Sequence, residues 1–180
     1  MHIVLFGIQG SGKGTQAARL RQHNSSLAYF APGDIFRALT SQANALGDYV
    51  KEKIAAGQLI KDDIVQGLFS LYTKTLEGRR MLLDGFPRSQ DQFDTLHSYL
   101  LETGESCVGI VLDLPDHIAR ERMLARGRPD DTPEAIDKRI AQYYASTQPL
   151  LSRFGRYYGL HTIDATMSID DVFEAIVAII

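Results

Sequence analysis

The sequence predicts an α/β protein in which helices cover both faces of a parallel β-sheet. Five short apolar runs recur at long intervals along the 180 residues, and they are continuous rather than alternating, which is typical of strands buried on both faces. They cover residues 3–6, 27–31, 81–83, 108–112 and 160–163. Segments with helical periodicity separate them, at residues 15–22, 35–41, 63–76, 90–101, 116–126 and 136–154. Alternation of strands and helices with right-handed crossovers indicates a doubly wound, five-stranded parallel sheet flanked by helices.

The composition argues against several classes of protein. A formal charge of −3 and a pI near 5.9 give no basic excess, so we expect no nucleic-acid partner. The single cysteine, Cys107, can form neither an internal disulfide nor a multi-cysteine zinc site, and it is predicted to lie in the core. The first apolar run is too short for a signal peptide, and no run approaches the ~20 residues that span a bilayer. We therefore expect a single-domain, cytoplasmic protein with no membrane partner.

The first predicted strand leads directly into a glycine-rich loop, Gly7-Ile8-Gln9-Gly10-Ser11-Gly12-Lys13-Gly14-Thr15. Glycines allow a tight turn that aims successive backbone N–H groups at one anion, and a helix beginning near Lys13 adds the positive end of its dipole. The spacing fits a P-loop, although Gly14 stands where the strict pattern has Ser or Thr and the hydroxyl follows at Thr15. The alternative is an ordinary glycine turn before a helix. The loop predicts a phosphate site.

Charged residues follow three further predicted strands. In doubly wound sheets, ligands bind outside the carboxyl ends of the strands, so these positions converge on one crevice. The second strand is followed by Gly33, Asp34 and Arg37, and the third by Asp84, Gly85 and Arg88. The helix after the fourth strand carries Arg122 and Arg126 on one face, because they are four residues apart. Cations gathered around a phosphate loop suit phosphoryl transfer, whose transition state spreads negative charge over the moving oxygens.

Because these motifs follow one another in this order along the sequence, the chain closely resembles the adenylate kinases, within the nucleoside monophosphate kinase family. The matching motifs are Gly7-x-x-Gly10-x-Gly12-Lys13-Gly14-Thr15-Gln16, Gly33-Asp34-x-x-Arg37, Leu83-Asp84-Gly85-Phe86-Pro87-Arg88, and Arg126-Gly127-Arg128-x-Asp130-Asp131 followed by Lys138-Arg139. They extend over about four-fifths of the chain. The resemblance implies a P-loop NTPase-like fold, Mg²⁺ bound with ATP, and reversible phosphoryl transfer from ATP to a nucleoside monophosphate with no covalent intermediate.

The resemblance also implies three overlapping sets of site residues. The catalytic set is Lys13, Asp84, Arg88, Arg122, Arg128 and Arg139. The ATP-binding set is Gly10, Ser11, Gly12, Lys13, Gly14, Thr15, Arg122 and Arg126. The AMP-binding set is Pro32, Gly33, Arg37, Leu59, Ile60, Gly85, Arg88, Gln92, Arg128 and Arg139.

Each implied role has a chemical reason. Arg37 and Arg88 would grip one phosphate bidentately, unless Arg37 is a surface arginine. Asp84 would act on magnesium through water, because Gly14 removes the usual hydroxyl ligand; the alternative is a structural carboxylate. The Gln92 amide can pair with an adenine edge, unless it is an ordinary exposed glutamine. Asp130 and Asp131 would tether Arg128 and Arg139. Arg21 lies outside the motifs and is interpreted as surface charge.

The resemblance divides the single domain of residues 1–180 into three parts. The core would cover residues 1–31, 80–126 and 140–180, a monophosphate-binding segment residues 32–76, and a short lid residues 127–138. The lid helix is predicted to be capped at Asp131 or Thr132, with Pro133 in its first turn. This lid is too short for the zinc-ribbon-like insert of longer relatives, so we expect no zinc. We also expect a monomer.

Pro32 leaves the acceptor nucleotide open. Adenylate kinases usually carry Ser or Thr at this position, and kinases for UMP and CMP also lack the hydroxyl. Gln92 favours adenine, because the pyrimidine enzymes tend to carry a shorter asparagine. A kinase for UMP or CMP is therefore the alternative enzyme, and a nucleotide-binding regulatory module without catalysis is the alternative from another class.

Overall fold

A parallel five-stranded sheet forms the centre of the molecule in the computed structural model, which describes residues 1–180. The strands are β1 (His2–Phe6), β2 (Ala28–Phe30), β3 (Met81–Asp84), β4 (Cys107–Asp113) and β5 (Gly159–Asp164). Their order across the sheet is β2-β3-β1-β4-β5, and all neighbouring pairs are parallel. The predicted doubly wound α/β fold is confirmed, with all five strands at the predicted apolar runs.

Nine α-helices connect and flank the strands. They are α1 (Lys13–His23), α2 (Pro32–Leu39), α3 (Ala45–Ala55), α4 (Asp62–Thr73), α5 (Gln90–Thr103), α6 (Asp116–Arg126), α7 (Pro133–Gln142), α8 (Gln148–Tyr157) and α9 (Ile169–Val177). Helices α3 and α9 were not among the predicted helices. The predicted helix at residues 136–154 is in fact α7 and α8, joined by a π-helical turn at Tyr143–Thr147.

The core lies in two layers, one on each face of the sheet. Along β1, Val4 and Phe6 join the cluster on one face, whereas Ile3 and Leu5 join the cluster on the other. All five residues of β1 are buried, which explains why its apolar run is continuous rather than alternating. The expectation of burial on both faces is wrong for β5, which lies at the edge of the sheet and buries only Ile163. The first cluster is rich in aromatic rings and includes Phe30, Phe69, Phe86, Phe93 and Phe154. The two layers fix the carboxyl ends of β1, β3 and β4 at one edge.

Side-chain caps begin two of the helices that shape this edge. Thr132 accepts a hydrogen bond from the backbone N–H of Ala135 at the start of α7, with Pro133 in the first turn, so Thr132 is the cap. Ser89 caps α5 in the same way. Cys107 is buried in the core, as predicted. None of the helices combines the length and apolar content needed to cross a bilayer.

Candidate active site

A cavity of about 850 Å³ opens at the carboxyl ends of the strands. Every residue of the three predicted sets lines it. Eight cationic side chains face it, namely Lys13, Arg21, Arg37, Arg88, Arg122, Arg126, Arg128 and Arg139, together with the three carboxylates of Asp34, Asp84 and Asp130. The chain as a whole is acidic, so this excess of positive charge is concentrated at one place. Such a site suits a ligand with several negative charges.

The glycine-rich loop passes directly into α1, which begins at Lys13. The first backbone N–H groups of a helix have no partner within the helix, so the loop end presents free donors to the cavity. The Lys13 ammonium donates to the carbonyl oxygens of Gly7 and Ile8, at 2.7 and 3.0 Å. Burial lowers the pKa of Lys13 to about 8, although Asp84 opposes this shift. A pKa of about 8 leaves this amine mostly protonated at neutral pH, and a bound anion would raise the pKa again, as expected of a phosphate-binding lysine.

The turn after β3 holds Arg88 in one orientation. Phe86 is fully buried among other aromatic rings, and the Phe86–Pro87 peptide bond is cis. The Arg88 Nε donates to the carbonyl oxygen of Gly85 at 2.8 Å, and the Arg88 carbonyl accepts from the Thr147 hydroxyl at 3.0 Å. Gly85 has a φ of +71°, and a Cβ there would lie 2.5 Å from Nη2 of Arg88. Any side chain at Gly85 would therefore displace the guanidinium.

Gln92 is buried rather than exposed, with 3% of its surface accessible. Its Oε1 accepts from the backbone N–H of Arg88 at 2.8 Å, and its Nε2 donates to Asp62 at 2.6 Å. Asp62 also accepts a hydrogen bond from the Ser89 hydroxyl. The predicted base-reading amide thus lines the cavity and is held by two protein contacts. One of its two N–H donors has no partner in the protein and remains available to a base edge.

A tyrosine contacts two carboxylates in the cavity wall, one of which lies beside the phosphate loop. The Tyr29 hydroxyl is 3.1 Å from Oδ2 of Asp84 and 3.4 Å from Oδ2 of Asp34. Burial and the two carboxylates raise the pKa of Tyr29 above its usual range, so the phenol stays protonated and can donate. Asp34 also pairs with the Arg37 guanidinium. The Asp84 Oδ2 lies 3.7 Å from the position that a Cβ would take at Gly14, which places it next to the loop.

Asp130 and Asp131, which are predicted to tether arginines, lie in the turn at residues 127–131 and contact side chains on both sides of it. The Asp131 carboxylate, with a side chain 1% exposed, accepts from Arg126 Nε and Nη2, both at 2.9 Å, and from Arg139 Nη1 at 2.8 Å. Arg139 also pairs with Asp130 and donates to the Ile54 carbonyl at 3.4 Å. The prediction holds for Arg139, whereas Arg128 makes no ion pair and Arg126 takes its place.

The placement of Arg128 follows from the turn. The backbone N–H of Asp131 donates to the Arg128 carbonyl at 2.9 Å, so the chain reverses between them and Asp131 returns towards α6. The Arg128 side chain is left on the cavity wall, where burial, together with Arg37 and Arg126, lowers its pKa. An unpaired guanidinium in this position is available to a ligand.

Arg122 and Arg126 share one helix face towards the cavity, as their spacing predicts. The Arg122 Nη1 donates to the carbonyl oxygen of Ala165 in the loop after β5, at 3.1 Å. Arg120 points away and pairs with Asp137. Sequence reasoning missed two residues of the site, Tyr29 and Arg21. Arg21 is exposed, as interpreted, but its guanidinium lies 5.1 Å from the centroid of the Tyr29 ring at the cavity wall.

Comparison with known proteins agrees with this geometry. The family model described as adenylate kinase matches residues 5–158. The chain is 36% identical to an adenylate kinase of Leuconostoc mesenteroides over 176 residues, which covers 96% of this chain and 93% of the relative. It is 34% identical to an adenylate kinase of Deinococcus radiodurans, with 98% and 94% covered, and 35% identical to one of Xanthomonas campestris, with 98% and 97% covered. The chain therefore belongs to the adenylate kinase family.

Proposed function

We propose that the chain catalyses reversible phosphoryl transfer between ATP and AMP, giving two ADP. The observation that supports this proposal is that two sets of side chains suited to binding phosphate line one cavity. The loop bearing Lys13 forms the first, and Arg37 with Arg88 forms the second. A donor phosphate and an acceptor phosphate would lie end to end between them, as in-line transfer requires.

The donor side holds ATP through backbone and charge. The N–H groups of residues 10–15 and the Lys13 ammonium contact the terminal phosphates, and Lys13 exchanges its two carbonyl contacts for phosphate oxygens. Asp84 and the neighbouring Asp34 offer carboxylate oxygens beside the loop, a donor set that fits Mg²⁺ held through water. When bound, the ion neutralises charge on the phosphate oxygens. Arg122 and Arg126 contact the ATP from the α6 side.

The acceptor side orients the nucleophile. Arg37 and Arg88 present planar forks that grip the AMP phosphate bidentately and aim one oxygen at the donor phosphorus. No general base is needed, because a phosphate monoester is largely ionised at neutral pH. Arg128 and Arg139 neutralise charge on the group in transit, and Asp131 fixes the Arg139 fork beforehand. The reaction is a single displacement with no covalent intermediate.

The acceptor base would lie against the 32–76 segment. Apolar side chains of Phe36, Leu59, Ile60 and Val65 line this part of the cavity, and Gln92 supplies an amide. Pro32, the first residue of α2, adds no side-chain acceptor. An amide has one acceptor and a donor pair, which suits the adenine edge. AMP is therefore the proposed acceptor, with UMP and CMP as the alternatives to be tested.

We further propose that residues 32–76 and 127–138 act as the monophosphate-binding segment and the lid of one domain. Contacts already join the two, because Arg139 donates to the Ile54 carbonyl. Closure of these segments would exclude water and protect the donor from hydrolysis. A monomeric, cytoplasmic enzyme remains the expectation, and light scattering after gel filtration tests the first part.

A panel of monophosphates with ATP tests the proposal. We expect AMP to be phosphorylated at least tenfold more efficiently than UMP or CMP, measured as kcat/KM. Lys13→Met and Arg88→Ala should each lower kcat about a hundredfold to a thousandfold, because each removes a donor that stabilises transition-state charge. Lys74→Met and Arg156→Ala, at exposed positions outside the cavity, are the matched controls. Preference for UMP or CMP would refute AMP as the acceptor, and ATP binding without transfer would support the regulatory alternative.

A further inference from the structure

Tyr29 is the one residue of the cavity wall whose hydroxyl contacts two carboxylates at once. It lies in the middle of β2, and its ring packs against the apolar cluster that contains Leu20 and Leu82. Arg21 covers the ring at 5.1 Å. The ring is therefore held on several sides, and the hydroxyl has a fixed position above the strand ends.

The hydroxyl has one proton to share between Asp84, at 3.1 Å, and Asp34, at 3.4 Å. Two carboxylates near a common atom repel each other unless a donor or a cation stands between them. The phenol is such a donor. It links the two carboxylates, and Asp84 lies beside Gly14 and the phosphate loop, where the terminal phosphates of ATP would lie.

The contact also joins the two halves of the site. The second oxygen of Asp34 pairs with Arg37, so one chain of contacts runs from Asp84 through Tyr29 and Asp34 to the arginine on the acceptor side. A rigid pair of carboxylates preorganises the acceptors for magnesium-bound water, and this lowers the cost of ordering them when the nucleotide arrives.

We propose that Tyr29 is a positioning residue whose hydroxyl fixes the Asp84 and Asp34 carboxylates for magnesium-dependent binding of ATP. The inference rests on the proposed function, because it takes the phosphate loop as the ATP site. Tyr29 touches neither the phosphates nor the ion and acts only through the two carboxylates.

Calorimetric titration of ATP, in the absence of AMP, measures this role without turnover. The quantity of interest is the ratio of the dissociation constants for ATP in EDTA and in excess Mg²⁺. We expect Tyr29→Phe to reduce this ratio about tenfold, because the variant loses one hydrogen bond to charged acceptors. Its affinity in EDTA should stay within about twofold of wild type, since the ring and its packing are kept. Phosphoryl transfer by the variant should require correspondingly more magnesium.

Tyr72→Phe is the matched control. Tyr72 packs against Phe30 on the other face of the same strand, and its buried hydroxyl has no hydrogen-bond partner. Removing the Tyr72 hydroxyl should leave the ratio of the two ATP dissociation constants unchanged. Asp84→Asn provides a second check, because Tyr29→Phe should have little further effect on the ratio in that background. Thermal unfolding of each variant verifies that the fold is intact.

The proposal would be overturned if folded Tyr29→Phe had the wild-type ratio of ATP dissociation constants in EDTA and in Mg²⁺. It would also be overturned if Tyr29→Phe lowered this ratio as strongly in the Asp84→Asn background as in the wild type. A wild-type protein whose ATP affinity ignores magnesium, or a Tyr29→Phe protein that does not fold, would also overturn it. The proposed function fails separately, if the wild type transfers no phosphoryl group to any monophosphate.

Discussion

Asp131→Asn should destabilise the protein strongly while changing almost no volume. The Asp131 side chain is 1% exposed and accepts three hydrogen bonds from two arginines. Asparagine keeps one acceptor oxygen but turns an amide donor towards a guanidinium. Removing one partner of a buried ion pair costs about 3–5 kcal/mol. We expect the lower end, about 3 kcal/mol, because Arg126 is 32% exposed and can regain water, and the more buried Arg139 keeps its ion pair with Asp130.

Thermal unfolding followed by circular dichroism measures this effect. For a chain of this length, 1 kcal/mol shifts Tm by about 2–4 °C, so Asp131→Asn should lower Tm by about 6–12 °C. Asp137→Asn is the control, because its pair with Arg120 is exposed, at 62% and 37%, and contributes less than about 1 kcal/mol. Equal shifts in Tm for the two variants would refute the view that the buried carboxylate organises these arginines.

Two further predictions concern other parts of the molecule. Gly57 has a φ of +67°, and a Cβ there would lie 2.8 Å from a carbonyl oxygen of α7. Gly57→Ala should therefore lower the free energy of unfolding by about 1–2 kcal/mol and slow turnover. Gly67→Ala, in open space on α4, should be neutral or stabilising in the same thermal unfolding and rate assays. Similar behaviour of the two variants would contradict this prediction. Burial lowers the pKa of His2, whose Nδ1 accepts a hydrogen bond from a backbone N–H of β3. Below about pH 6.5 the unfolded chain therefore binds more protons than the folded protein, and the free energy of unfolding should fall from pH 7 to pH 5.5. In urea unfolding, His2→Gln should reduce this pH dependence of stability, whereas His161→Gln, at an exposed position, should not. An unchanged pH dependence in His2→Gln would count against the prediction.

Strands β1, β3 and β4 were predictable from sequence because burial on both faces leaves a continuous apolar run, whereas β5 carries such a run although only Ile163 in it is buried. Helix α9 left a comparable signal, since Ser168 caps it and Val172 and Ile176 lie four residues apart on its buried side. Helix α3 is harder to recognise, because Gly47 interrupts its apolar positions. The π-helical turn, which brings Thr147 to the Arg88 carbonyl, has no local sequence signature.

The composition of the site was predictable, but its internal contacts were not. Motif spacing places some residues at strand ends, and the family resemblance implies the others, such as Leu59, Ile60 and Arg139; all of them line one cavity. The partner of each side chain depends instead on tertiary packing. Gln92 meets Asp62 across 30 residues of sequence, and Tyr29 meets Asp84 across 55. No periodicity or spacing connects such pairs, because they lie on elements that meet only after the sheet has formed.

These internal contacts determine how a nucleotide would enter. Lys13 contacts two carbonyl oxygens, Arg37 contacts Asp34, and Arg139 contacts both Asp130 and Asp131. Each contact limits repulsion among neighbouring cations and keeps the side chain near the geometry that a phosphate needs. The phosphates of a nucleotide would then replace these partners of the cationic side chains with stronger ones, and the side chains would need little reordering. Because the cavity carries five more cationic than anionic side chains, the phosphates of bound nucleotides would also reduce the repulsion among these cations. This relief contributes to the affinity for nucleotides, so the stabilisation of the fold that binding produces by mass action should shrink as salt screens the charges.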